Sequence, residues 1–189
     1  MDVIEAIRTR RATRAFTAAE IPAPALQALI ALAVEAPSAI NLQPWLFAVA
    51  HRRETLRHIA EASKAHLLAR MEPGSPFLRF RELLQEPGFD MFYGAPALVV
   101  ICATSAEQQA AEDCALAAQT LMLAARAQGL ATCCIGLARP WLNQPDGRAL
   151  LDIPPASVPV LPIVLGEAAA DPPPPGRRPP AIRWIDPPG

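Results

Sequence analysis

Three short stretches of this 189-residue chain carry side chains whose type and spacing suit ligand chemistry. The first is a basic corner, Arg10, Arg11 and Arg14, echoed near the far end by Arg177 and Arg178. A dianionic phosphate needs several fixed donors, and each planar guanidinium supplies a fork of them. An arginine cluster is also what a solvated charged face looks like, and spacing alone leaves both readings open. The second stretch is Pro37-Ser38-Ala39-Ile40-Asn41-Leu42-Gln43-Pro44, where two prolines bracket hydroxyl and amide groups. Such a stiff loop either presents polar groups to a heterocycle or satisfies its own backbone. The third is Cys134-Ile135-Gly136-Leu137, where Gly136 lets a ligand approach the backbone or simply makes a turn at a strand end.

Other chemistries lack their residues. There is no glycine pattern of the Walker or dinucleotide-fold type and no serine nucleophile elbow. His51, His58, His66 and Glu61 lack the spacing of a helical metal pair, so no metal site is expected and the histidines are read as surface residues. Cys102, Cys114, Cys133 and Cys134 show neither metal-ligand nor disulfide-framework spacing and are read as reduced, buried thiols. Seventeen basic and eighteen acidic residues give a net charge of −1, which removes the electrostatic footprint expected for nucleic acid or anionic lipid. No stretch is apolar enough to span a bilayer, and Asp2 and Glu5 precede any apolar run, unlike a signal peptide. A cytoplasmic protein is expected.

The positioning elements follow from hydrophobic period. With 52% hydrophobic and 19% charged residues, one globular domain over 1–189 can bury a sizeable core. Asp2 and Glu5 have capping-box spacing ahead of Val3, Ile4 and Ile7, which share one helical face. Pro22 and Pro24 introduce a second helix with Leu26, Leu29, Ile30 and Ala33 as its apolar positions. A strand is predicted over 45–50, a helix from 53 onward, and a mobile, partly helical excursion over 72–93, where Pro73, Gly74, Pro76, Pro87 and Gly88 interrupt the pattern. Residues 97–102 read as a buried strand. The helix over 107–128 is apolar nearly all round, so it is central or meets a second subunit. A strand over 131–135, a short helix over 141–151 and a last strand over 158–165 follow, the last pushed toward an edge by Pro159 and Pro162. From Asp171 the chain is proline-rich and extended, and Ile182, Trp184 and Ile185 favour its lying over a surface.

Taken in order, these stretches resemble the FMN-dependent nitroreductases. The resemblance runs through Arg10-Arg11-Ala12-Thr13-Arg14-Ala15-Phe16, the Pro37-to-Trp45 loop, Gly94-Ala95-Pro96, the helix from Asp113 to Gly129, Cys134-Ile135-Gly136, and Arg177-Arg178-Pro179. It implies an α+β fold with a mixed, mostly antiparallel central sheet flanked by helices, in a homodimer that exchanges C-terminal arms (171–189) and holds FMN at the subunit interface. On that resemblance Arg10, Arg11, Ala12 and Arg14 would hold the phosphate and ribityl chain, with Arg177 or Arg178 completing the phosphate site. Pro37, Ser38, Ala39, Asn41 and Gln43 would approach from the partner subunit. Cys134, Ile135, Gly136 and Leu137 would lie along the flavin, and 72–93 would shape the substrate pocket. Ala12 stands where the family often has a hydroxyl residue. The resemblance further implies ping-pong transfer from NADPH or NADH through FMN to a small nitroaromatic, quinone or similar acceptor, with no catalytic side chain. A flavin-binding or sensing protein without turnover, or a specialised relative with a dedicated substrate, are the alternatives.

Overall fold

The computed structural model describes residues 1–185. Helix α1 (Val3–Thr9) begins where Asp2 Oδ1 accepts the Glu5 N–H at 2.8 Å, as the capping spacing requires. Val3, Ile4 and Ile7 do share a face, but that face points away from the core, each residue being more than half exposed. Ala6 alone is buried, and its small side chain lets α1 lie against the long helix α5 (Gln108–Ala127). Helix α2 (Ala23–Ala33) follows Pro22 and packs Leu26, Leu29 and Ala33 inward, also against α5.

Four antiparallel strands, β1 (Trp45–Ala50), β2 (Ala97–Ala103), β3 (Ala131–Cys134) and β4 (Val158–Gly166), form one sheet in the order β1-β2-β4-β3. All seven residues of β2 are buried, because both faces of the sheet are covered. Ala97, Val99, Ile101 and Ala103 alternate toward α2 and α5. Leu98, Val100 and Cys102 alternate toward helix α3 (Arg53–Ala69), with its Leu56, Ile59 and Leu67. The sheet is antiparallel throughout where a mixed one was expected; among the described residues one parallel contact, an isolated bridge between Ala12 and Thr132, lies beside it.

Strand β4 corrects an expectation: despite Pro159 and Pro162 it is an interior strand, paired on both sides. The Pro162 carbonyl accepts from Ile135 N–H and the Pro159 carbonyl from Asn143 Nδ2, so both prolines face the β3 side. Pro162 stands at the pair where β3 ends, and the Ile135 carbonyl it cannot serve accepts the Ala138 N–H instead, so the interior of the sheet loses no hydrogen bond. A register shift between Ile101 and Cys102 marks a bulge opposite Pro159. The segment 72–93 is likewise more anchored than the expected mobile excursion. It holds a 3-10 turn (Leu78–Phe80) and helix α4 (Arg81–Gln85), and it sinks Leu84, Met91 and Phe92 into the core at 2% exposure or less. The helix expected over 141–151 is two, α6 (Arg139–Leu142) and α7 (Pro145–Leu150), since Pro145 opens a new first turn. Gly147 sits where a Cβ would strike the Trp141 carbonyl, which fixes how closely α7 crosses α6.

Apolar side chains also stay bare on α5, where Leu116 is 46% exposed. The segment from Asp171 to Ile185 is extended, with Ile182 and Trp184 more than half exposed. The remaining arm residues, 186–189, lie outside the described residues.

Candidate active site

A proline decides where the site begins. Cys133 pairs with Val164 and Cys134 with Ile163, and the next pair would be Ile135 with Pro162. The Ile135 N–H donates to the Pro162 carbonyl at 2.8 Å, but proline has no N–H to return. The ladder stops half made, and the chain turns out of the sheet into a 3-10 turn, Gly136–Ala138. The first N–H groups of such a turn have no acceptor within it and are free for a ligand. Nothing lies within 4 Å of where a Gly136 Cβ would stand, so the backbone here is open to close approach.

This turn lines a cavity of about 590 Å³, within the range of small-molecule sites. Arg14 and Arg79 supply its positive charge, Arg79 stacking on Phe80 at 4.8 Å, while Phe77, Phe80, Phe89 and Tyr93 supply an apolar wall. Phe89 and Tyr93 meet edge to face with ring centres 6.0 Å apart. Tyr93 holds a left-handed backbone, φ +57, which is costly for a bulky residue. Asp90 sustains it by accepting from Phe92 N–H and Gly94 N–H, both at 2.8 Å. Burial pushes the Tyr93 phenol above its ordinary pKa and the nearby Cys133 adds to this, while the Arg14 charge opposes it. The phenol is therefore neutral throughout the physiological range.

The basic corner reaches this cavity through the sheet. Thr13, 3% exposed, donates its N–H to the Thr132 carbonyl at 3.1 Å, and Ala12 bridges Thr132, so residues 10–14 run beside β3. Burial raises both the Cys133 and Cys134 thiols; Arg14 and Arg10 oppose it at Cys133, and Arg10 alone opposes it at Cys134. Arg10 and Arg14 thus stand over the end of β3. Arg11 is placed differently: its Nη1 donates to the carbonyls of Arg8 at 2.7 Å and Arg10 at 2.9 Å, closing the end of α1. Ala12 contributes backbone only, as its side chain requires. Arg126 donates to Thr9 Oγ1 at 3.0 Å and lies 4.0 Å from Asp171, where the C-terminal arm departs. Arg177 and Arg178 lie on that arm, exposed.

The loop 37–43 stands apart from the cavity. Ser38 Oγ accepts the Gln43 N–H at 2.9 Å, and Gln43 Nε2 donates to Asn41 Oδ1 at 3.2 Å. Ile40 (φ +44), Asn41 (φ +59) and Gln43 (φ +49) are all left-handed. Each such residue costs on the order of 1–2 kcal/mol, and a β-branched one is the least tolerant. The loop therefore satisfies part of its own backbone, as one sequence reading allowed, while Asn41 and Gln43 remain exposed. Among the described residues the chain brings Arg10, Arg14 and Cys134 to Leu137 together. It does not bring Ser38, Asn41, Gln43, Arg177 or Arg178 to them.

The aromatic wall was not foreseen residue by residue. Its signal was the crowding of Phe77, Phe80, Phe89 and Tyr93 into a segment otherwise rich in breakers. All four cysteines are free, and Cys102, Cys114 and Cys133 are buried as expected, whereas Cys134 is exposed; burial pushes Cys102 up to about 12 and Cys114 up to about 11, the latter helped by the Asp113 charge. Among the described residues no cluster of histidine, cysteine and carboxylate could hold a metal, and His58 instead packs edge-on against Trp141 at 6.3 Å. No helix is long and apolar enough to cross a membrane.

A cavity lined by arginine, aromatic rings and an open backbone turn suits a planar, anionic heterocycle. The chain belongs to the nitroreductase family, whose profile matches residues 7–167. It is 32% identical to nitroreductase NfnB of Mycolicibacterium smegmatis over 157 residues, 67% of each chain. Its fold is similar to a nitroreductase with bound FMN from Desulfitobacterium hafniense DCB-2, with a TM-score of 0.84 at 27% identity over 98% of this chain and 100% of the other. It is also similar to the NfnB structure from Mycobacterium smegmatis in complex with NADPH, with a TM-score of 0.67 at 28% identity over 88% and 87% of the two chains.

Proposed function

We propose that this chain is an FMN-dependent oxidoreductase that takes hydride from NADPH or NADH and delivers it, by a ping-pong mechanism, to a small nitroaromatic, quinone or similar acceptor. The carrying observation is that Arg14 and the backbone turn at Ile135–Leu137 line one 590 Å³ cavity with an aromatic wall. The donor set fits FMN: the Arg14 guanidinium in the cavity, with Arg10 beside the same strand, for the phosphate, and unpaired backbone N–H groups with an apolar wall for a planar heterocycle. When bound, FMN supplies the two-electron chemistry, accepting hydride from the nicotinamide and passing it on.

The side chains then have the following work. Arg10 and Arg14 bind the phosphate and ribityl portion, Arg177 or Arg178 arrives on the arm, and Arg11 shapes the corner by closing α1. The N–H groups at Gly136 and Leu137 hydrogen-bond the polar edge of the ring and stabilise negative charge there. Phe77, Phe80, Phe89 and Tyr93 exclude water from the slot in which nicotinamide and acceptor take turns. No side chain is required as a nucleophile.

The reading also includes a cytoplasmic homodimer. Its interface would cover the bare apolar faces of α1 and α5, and each arm, 171–189, would lie over the partner. Ser38, Asn41 and Gln43, held away from their own chain's cavity, would then meet the partner's FMN. The test is the visible spectrum of purified protein before and after anaerobic addition of NADPH and then NADH. Flavin bands that bleach with a nicotinamide and return with an acceptor support the reductase. Bands that persist point to a flavin binder without turnover, and absent bands after FMN addition overturn the reading.

A further inference from the structure

Something must hold the loop 37–43 in place, since its internal bonds fix its shape and not its position. Ile40 is 91% and Leu42 59% exposed, so the loop has little packing to anchor it. Two successive residues of α5 grip its ends. Asp113, only 1% exposed, accepts the Ala39 N–H on Oδ2 at 3.2 Å and the Gln109 Nε2 on Oδ1 at 3.2 Å. Cys114 Sγ donates to the Pro44 carbonyl at 3.7 Å, and its raised pKa keeps it a donor. The same carbonyl accepts the Thr104 N–H at 3.0 Å.

A carboxylate this deep is expensive and persists only where its hydrogen bonds repay the desolvation. Its neighbours on that face of α5 are Ala110, Cys114, Ala117 and Leu121, so an apolar residue would pack there without the expense. No step of the proposed mechanism touches Asp113. Among the described residues, its one hydrogen bond outside its own helix goes to the loop that carries three left-handed residues.

We infer that Asp113 is a positioning residue: by holding Ala39 it fixes where Asn41 and Gln43 stand, and so sets their reach to the partner's flavin. The inference rests on the reading that this loop meets FMN across a dimer. Without the tether the strained loop relaxes, and Asn41 and Gln43 lose their fixed geometry while Arg10, Arg14 and the Gly136 turn remain intact.

The test compares Asp113→Ala, Asp113→Asn, Ala39→Pro and the double variant Asn41→Ala/Gln43→Ala in the full chain. Three quantities are read: FMN dissociation constant, the absorption spectrum of bound FMN, and amide hydrogen exchange over 38–43 in FMN-free protein. Loss of a charged hydrogen bond predicts about tenfold or more weaker FMN binding and about tenfold faster loop exchange in Asp113→Ala. Asn keeps an acceptor for Ala39 while the Gln109 amide turns to offer its oxygen, so Asp113→Asn should stay within about threefold of the parent on both readouts. Ala39→Pro removes the same hydrogen bond without altering α5 and should weaken FMN too, which covers the case in which Asp113→Ala does not fold. Unchanged exchange and FMN affinity in Asp113→Ala or Ala39→Pro overturn the inference, as does an Asp113→Asn protein that folds but loses FMN as badly as Asp113→Ala. If Asn41→Ala/Gln43→Ala binds FMN with unchanged affinity and spectrum, the loop-to-flavin reading itself fails, whatever Asp113 does.

Discussion

At the end of β3 the chain closes on itself: Thr13 is hydrogen-bonded to Thr132, Ile135 to Pro162, and Arg14 shares a cavity with the Gly136 turn. The loop 37–43 and the arm from 171 are built the other way. Their amides, arginines and apolar side chains face away from the chain that carries them, with Ile40 at 91% and Trp184 at 66% exposure. The first region is a product of folding. The second is preorganised at a cost in strain, with the Asn41 and Gln43 amides bonded to each other and otherwise presented outward. A chain that spends conformational energy on three left-handed residues around an exposed isoleucine has that loop shaped for something other than its own core.

The sharpest way to break this contrast is to remove the arm. On the proposed dimer, deleting 171–189 should raise the dissociation constant by about a hundredfold or more in sedimentation, because an interface of ordinary size would lose Trp184 as its aromatic anchor. A truncated chain with unaltered self-association would mean that the outward-facing groups serve nothing in the dimer. Next, Arg10→Ala with Arg14→Ala should weaken FMN binding by roughly tenfold to a hundredfold, the loss of two charge-assisted contacts. The melting temperature of the FMN-free chain should barely move, since neither residue is buried. A large drop in stability there would show that the closed region is held by its arginines.

A smaller effect separates core from site by pH. Cys102 is raised to about 12 and Cys114 to about 11 in the folded chain, mainly by burial, against an ordinary value of 9.0. The folded state thus keeps its protons longer than the unfolded one. Stability from these thiols is fully present below pH 9 and is lost as pH rises through 11 to 12. Urea midpoints should fall progressively above pH 9, and Cys114→Ser should flatten part of that slope. The smallest change is Ile40→Asn, which places a residue tolerant of left-handed backbone where φ is +44. It should stabilise an isolated chain by about 0.5–1 kcal/mol in urea melts. Dimer affinity should weaken if the isoleucine is covered by a partner. Equal effects on both measurements would dissolve the distinction between strain and partner contact.

Much of this molecule was readable along the chain. Strand 45–50, the helices at 23–33 and 53–69, and the long helix at 108–127 followed from apolar period, proline placement and the stop at Gly129. These are local properties, set by backbone sterics and by which face can be buried. Three arginines, a proline-bracketed loop and a glycine after two cysteines marked the candidate site because each restricts or equips the backbone where it stands.

Sequence could not decide relations between distant segments. Pro159 and Pro162 argue for an edge strand until it is known that β3 pairs only as far as Cys134, so that the single bond Pro162 cannot return falls at the end of the ladder. Val3, Ile4 and Ile7 look like a core face until the smaller Ala6 is seen against α5. The breaker-rich segment 72–93 looks loose until Leu84, Met91 and Phe92 find the sheet and turn its aromatics into a wall. Asp113 reads as one more helical acid until Ala39 is placed within its reach, 74 positions away. Periodicity records which side of an element avoids water; only the packed chain settles what that side meets.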